Sequence, residues 1–243
     1  LIAASIALEE RPACAPSALQ RWRHLLLPLG LAALALGVFT AGGAAAARHM
    51  GIVPRTTGGL RGVVFGSFVH FSWGHCCWNA LAVVLLGPVV LCAASSNEAT
   101  GDCEGVVRFA AASAFISVSS GFCVWCLARP ALHAGASGVV WGYVGLLVAL
   151  TLRRRDIPVG SCLLVLVVAV CYGCAALSMA GQRRATRCAP DSNDCPPGAS
   201  LLYEACTSRT VSAEHHTFGF LSGVASVLFF CRPRPAGGGP ERS

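Results

Sequence analysis

Charged residues make up only 12% of this 243-residue sequence, and lysine is absent. A water-soluble domain carries about 25% charged residues, so that class is excluded at the outset. All eighteen basic residues are arginine, a bias of composition with no functional reading of its own. The arginines are spread over loops and tails instead of gathered on one face. Without a clustered basic stripe and exposed aromatics, no nucleic-acid partner is expected. Alternating or amphipathic patterning is missing as well. The apolar residues, 55% of the chain, come in blocks, and several blocks reach the roughly 20 residues that a helix needs to cross a bilayer.

Six such blocks stand out, at residues 25–46, 66–94, 106–128, 134–152, 157–180 and 211–231. Lipid offers no partner to an unpaired backbone donor or acceptor, so each block is expected to be helical. The resulting fold class is all-α, a polytopic membrane protein with six spans. Its organisation is an N-terminal tail (1–24), a membrane domain (25–231) and a C-terminal tail (232–243). A cleaved signal peptide competes for the first block, because Arg21 and Arg23 precede an apolar run that ends in small residues. At about 22 residues the run exceeds the usual apolar core of a signal peptide, and a first span is the better reading.

Arginine placement sets the expected orientation. With the N-terminus inside, the inner segments hold ten arginines (Arg11, Arg21, Arg23, Arg108, Arg153, Arg154, Arg155, Arg232, Arg234, Arg242). The outer ones hold eight (Arg48, Arg55, Arg61, Arg129, Arg183, Arg184, Arg187, Arg209), so the balance leans to both termini inside. Most of the fourteen cysteines sit within apolar blocks, where the residue packs as a small hydrophobe. That reading covers the C-x-x-C pairs Cys123/Cys126 and Cys171/Cys174. The polar segment with Cys188, Cys195 and Cys206 differs, since two of these could bridge on an oxidising side of the membrane.

Polar residues inside spans are costly, and those that persist tend to mark function. Here they gather at the starts of the second, fourth and sixth blocks: His70, His75 and Asn79; Ser137; His215 and His216. In a hairpin bundle these blocks all enter from one side, so their polar residues share one leaflet whichever side that is. His75 and Asn79 are four positions apart and fall on one helix face. Two donors at the depth of a serine make a plausible oxyanion site, although polar pairs also cross-link membrane helices.

Ser137 lies in Gly135-Ala136-Ser137-Gly138 just inside its span, where backbone N–H groups of a helix start remain free for an anion. By itself the motif reads more often as packing. Gly138 and Gly142 form a small-x-x-x-small pair, as do Gly219 and Gly223, and such pairs let helices approach closely in lipid. If those faces meet, Ser137 comes within reach of His216, which lies three residues before Gly219 and so roughly on its face. Histidine titrates near neutrality and suits the base that activates a serine. No carboxylate is placed to complete a triad. Glu214 points about 200° around the helix from His216 and is expected to be solvated. The chemistry reads as a Ser–His dyad, with Trp141, one turn after Ser137, available to stack on the imidazole.

His70-x-x-x-x-His75-x-x-x-Asn79, Gly135-x-Ser137-Gly138 and His216-x-x-Gly219-x-x-x-Gly223 together resemble the rhomboid family of intramembrane serine proteases. The resemblance covers residues 70–223 and implies a rhomboid-like six-helix bundle. It implies hydrolysis of peptide bonds in or near transmembrane segments of substrate proteins within the lipid bilayer, with no metal or organic cofactor. Ser137 would attack and His216 would act as base and then acid. His75, Asn79 and the Ser137 backbone N–H would stabilise the oxyanion, and His70 would be structural. Trp141 stands where many members place a tyrosine, and His215 where a small residue is usual. Two alternatives come from other classes. A proteolytically silent relative that binds membrane clients would be marked by loss of Ser137 or His216, and both are present. A transporter would be expected to show broken helices or an internal repeat, and neither is found.

Overall fold

A computed structural model of the chain describes residues 18–94, 102–153, 163, 165–167, 169–170 and 212–230. Its helices are α1 (Ala18–Met50), α2 (Leu60–Phe65), α3 (Trp73–Ala94), α4 (Asp102–Leu127), α5 (Ser137–Arg153) and α6 (Ala213–Phe230). A 3₁₀ turn at Gly66–Phe68 follows α2, and residues 163, 165–167 and 169–170, between α5 and α6, are helical. Among the described residues the one β feature is an isolated antiparallel bridge between Ile52 and His133. The fold is therefore all-α. Leu25–Met50, Trp73–Ala93 and Gly105–Leu127 are long and apolar enough to cross a membrane, and Ser137–Arg153 is a shorter apolar helix.

Two of the expected boundaries need correction. The first apolar block and its polar connector give way to a helix that runs on to Met50, bent at Gly43 where φ is 51°, and to a short helix starting at Leu60. The second block was expected to be helical from residue 66, yet the helix begins at Trp73. Ser72 is the reason: its Oγ accepts the His75 N–H (3.2 Å) and its carbonyl accepts the Cys76 N–H (3.0 Å), which starts α3 there. His70 consequently lies in the non-helical stretch before α3. The helix α1 starts at Ala18, inside the expected N-terminal tail, whose residues 1–17 lie outside the described residues together with the C-terminal tail, most of the expected fifth span and Cys171, Cys174, Cys188, Cys195 and Cys206. Cys123 and Cys126 are free thiols on α4.

The core is built around α5, which packs along α6, while α6 also lies against α4 and α1 runs along α3. Phe109, Ile116, Tyr143, Leu146, Leu147 and Leu150 are fully buried in it. Leu81, Leu85, Phe122, Leu221, Leu228 and Phe229 are exposed on the outside, as lipid-facing positions require. Lipid tails are as apolar as these side chains, so burial gives little drive between helices, and close packing of small residues takes over. The α5–α6 seam is made that way. A Cβ at Gly219 would stand 2.8 Å from the Gly138 carbonyl carbon, and one at Gly223 2.7 Å from that of Gly142, with the carbonyl oxygens nearer still. Gly87 of α3 similarly admits Pro28 of α1, whose Cβ and Cγ would lie 2.7 Å from an added methyl.

Candidate active site

Ser137 is the first residue of α5. The Val140 N–H bonds to the Ala136 carbonyl (3.0 Å), which makes Ala136 the cap and leaves the Ser137 N–H among the donors with no acceptor inside the helix. The turn into Ser137 requires glycine at position 135, where φ is +112°. The turn is held from two sides. The Gly135 N–H bonds to the Gly66 carbonyl (2.8 Å), and the Ala136 N–H is donated to His70 Nε2 (3.3 Å). His70 therefore supports the serine turn as an acceptor, so its Nε2 carries no proton. It is fully buried, and its ring meets that of His75 edge-on at 5.1 Å.

His75 and Asn79 face this turn together. A Cβ at Gly135 would stand 2.6 Å from His75 Cε1, 2.7 Å from His75 Nε2 and 3.3 Å from Asn79 Nδ2. Only the bare glycine lets both side chains reach the backbone two residues before Ser137. Phe71 stacks on the His75 ring, with centroids 6.3 Å apart and planes 12° from parallel, and Asn79 is fully buried.

The two histidines of α6 take different places. The spacing of three puts His216 roughly on the face of Gly219, and His215, four positions before that glycine, lies against Gly138 of α5. The His215 ring closes over Gly138, with Cδ2 at 2.5 Å and Cε1 at 3.0 Å from the site of an added Cβ, and it is fully buried. His216 is half-buried and turns instead toward Trp141, where the two rings lie 5.7 Å apart at 30°. Glu214, expected to be solvated, pairs with Arg129 at 3.4 Å.

The connectors around the site, which showed no motif in the sequence, are also ordered by hydrogen bonds. Ile52 and His133 exchange backbone bonds of 2.8 and 2.9 Å, and Arg55 Nη1 donates to the carbonyls of Cys126 (3.2 Å) and Ala128 (2.9 Å). His133 Nδ1 lies 2.7 Å from Ser212 Oγ, and burial pushes the His133 imidazole below its ordinary pKa of 6.5. A serine before a helix is a visible signal for a cap, and Ser72-x-x-His75 and Ser212-x-x-His215 both carry it.

Chemically the arrangement offers a hydroxyl at a helix start, an imidazole of the neighbouring helix against Trp141 one turn after that hydroxyl, and an imidazole and an amide beside the turn. Comparisons with known proteins bear on the same region. A model of the rhomboid domain matches residues 57–233. Uncharacterized proteins of Mycobacterium bovis and Mycobacterium tuberculosis are 32% identical over 132 residues, 51% of this chain and 48% of theirs. The chain thus spans about half the length of the curated relatives it matches. No solved structure matches it.

Proposed function

The chain belongs to the rhomboid family, as a multi-pass integral membrane protein, and from that premise we propose that it is an intramembrane serine endopeptidase working through Ser137 and His216. The observation that carries the reading is the contact of Gly138 with Gly219. It brings the turn that starts with Ser137 against the part of α6 that carries the histidines. Of these, His216 is the better base. It is half-buried and stacked on Trp141, whereas His215 is sealed over Gly138, and a base must reach the proton it removes.

In this mechanism Ser137 Oγ attacks the scissile carbonyl carbon while His216 takes the hydroxyl proton. The carbonyl oxygen becomes an oxyanion that accepts hydrogen bonds from His75, Asn79 and the Ser137 N–H. Donors fixed before the charge develops supply most of the stabilisation, and one such donor is worth about 10²–10³ in kcat. Collapse expels the amine, which takes the proton from His216 and leaves an acyl-serine. Water then attacks the acyl carbon with His216 again as base, which releases the second product and restores Ser137. Substrates would be transmembrane proteins presenting an extended segment to this pocket.

The test is reconstitution of the chain in liposomes with a generic single-span substrate. Parent protein should release a defined fragment, and Ser137→Ala and His216→Ala should each abolish it. Cleavage that survives either change refutes the dyad. A parent that binds the substrate without cutting it would point to a client-binding, silent relative.

A further inference from the structure

We infer that His133 and Ser212 form a clamp that positions the histidine turn of α6, which makes them positioning residues for the dyad; the inference rests on the protease reading of that turn. Ser212 bonds to both histidine amides. Its Oγ accepts the His215 N–H at 3.0 Å, and its carbonyl accepts the His216 N–H at 3.1 Å. The first turn of a helix is the part that lacks internal acceptors for its donors, so such a cap decides how well the turn is held. The glycine seam begins at Gly219, one turn further along α6, and leaves the histidine turn above it.

Ser212 is itself oriented by His133. His133 Nε2 lies 3.2 Å from the Arg129 carbonyl, a group that only accepts, so Nε2 carries the proton and Nδ1 is left as an acceptor. Nδ1 lies 2.7 Å from Ser212 Oγ and accepts a hydrogen bond from its hydroxyl. That directs the Ser212 lone pairs toward the His215 N–H. The backbone of His133 is in turn locked to Ile52 by the paired bonds of the bridge, and its side chain is fully buried. His133 stands four residues before Ser137. One residue therefore anchors the approach to the nucleophile through its backbone and the cap of the helix that bears the base through its side chain. The Arg129–Glu214 pair adds a second tie between the same two segments, on the more exposed side.

A clamp that aligns the base should act on turnover rather than on substrate capture. In proteoliposomes containing the full chain, Ser212→Ala and His133→Ala should lower kcat by about 10- to 100-fold, since misplacement near 1 Å costs about that much. KM should stay within about twofold. Ser212→Thr keeps the hydroxyl and His133→Asn keeps an acceptor at the Nδ1 position, so each should recover to within about threefold of the parent. Because the two residues act as one unit, the double alanine variant should fall little below either single one. Backbone hydrogen exchange at His215 and His216 should be at least tenfold faster in Ser212→Ala. A residue serving only overall stability would lower Tm and leave kcat per folded molecule intact, and that result overturns the inference. So do conservative variants as impaired as the alanines. If Ser212→Ala does not fold, the His133→Ala and His133→Asn pair decides by the same criteria. If the parent shows no Ser137-dependent cleavage, the protease reading fails and exchange alone judges the clamp: unchanged rates at His215 and His216 refute it.

Discussion

Gly223→Ala is the sharpest perturbation of the seam on which the site depends. The new methyl would stand 2.7 Å from the Gly142 carbonyl carbon and 2.9 Å from its Cα, and closer to the oxygen. Carbon atoms pack best at about 3.5–4.0 Å, so α5 and α6 must part by about 1 Å. Neither neighbour is a flexible side-chain tip that could move aside, because both contacts are backbone. Overpacking of this kind costs about 1–3 kcal/mol, which corresponds to a fall of roughly 3–10 °C in Tm for a chain of this size. Position 223 is about two turns from His216, so the methyl touches no reacting group. A rigid helix nevertheless carries the separation to the histidine turn, and a 1 Å error there costs about 10²-fold in kcat/KM. Gly30→Ala in α1 is the control. Nothing lies within 4 Å of its added methyl, and it should be neutral or slightly stabilising. Thermal unfolding in detergent and cleavage of a reconstituted substrate read both effects. A Gly223→Ala variant with the parent's Tm and rate would refute the close-packed seam.

Other perturbations address separate parts of the account. Gly135→Ala combines a φ of +112° with contact at 2.6 Å to His75 Cε1, and should lower Tm by a cost of about 1–3 kcal/mol and cleavage by on the order of 10²-fold. Tyr143→Phe removes a 2.8 Å bond to Ser113 Oγ, but Ser113 still donates to the Phe109 carbonyl at 2.7 Å. Its loss should therefore be about 1 kcal/mol in unfolding measurements, with cleavage unchanged. Burial holds His133 below its ordinary pKa of 6.5, against the opposing pull of the Arg129 carbonyl and Glu214 and with Arg129 acting in the same direction as burial. The unfolded chain then binds the extra proton, so this contribution to stability is full above pH 6.5 and is lost as pH falls below it. Tm profiles of parent and His133→Asn should diverge between about pH 7.5 and 5.5, the parent falling more steeply, and parallel profiles would contradict the assignment.

Much of the candidate site is legible in the sequence because lipid makes polar residues rare. His75, Asn79, Ser137 and His216 stood out against apolar blocks, and Gly138, Gly142, Gly219 and Gly223 showed the spacing of a close seam. The seam forms between those glycines. What stayed hidden depends on contacts between distant segments. The start of α3 was misplaced because Ser72 caps it locally while His70 is engaged with Ala136, 66 positions away. Which histidine closes over Gly138 turned on the difference between spacings of three and four, too fine for a periodicity argument. Glu214 finds Arg129 across a connector, and His133 finds Ser212 at a separation of 79 residues. Such pairs leave no periodic trace. The polar connectors read as plain loops, although Arg55 and the Ile52–His133 bridge tie them together.

The central claim is that Ser137 is a nucleophile activated by His216, and covalent capture tests it most directly. A fluorophosphonate that reacts with activated serines should form one adduct, with loss of fluoride, which peptide mass spectrometry places on Ser137. The adduct should vanish in His216→Ala and persist in His215→Ala. Labelling of another serine, or undiminished labelling of Ser137 without His216, would contradict the account.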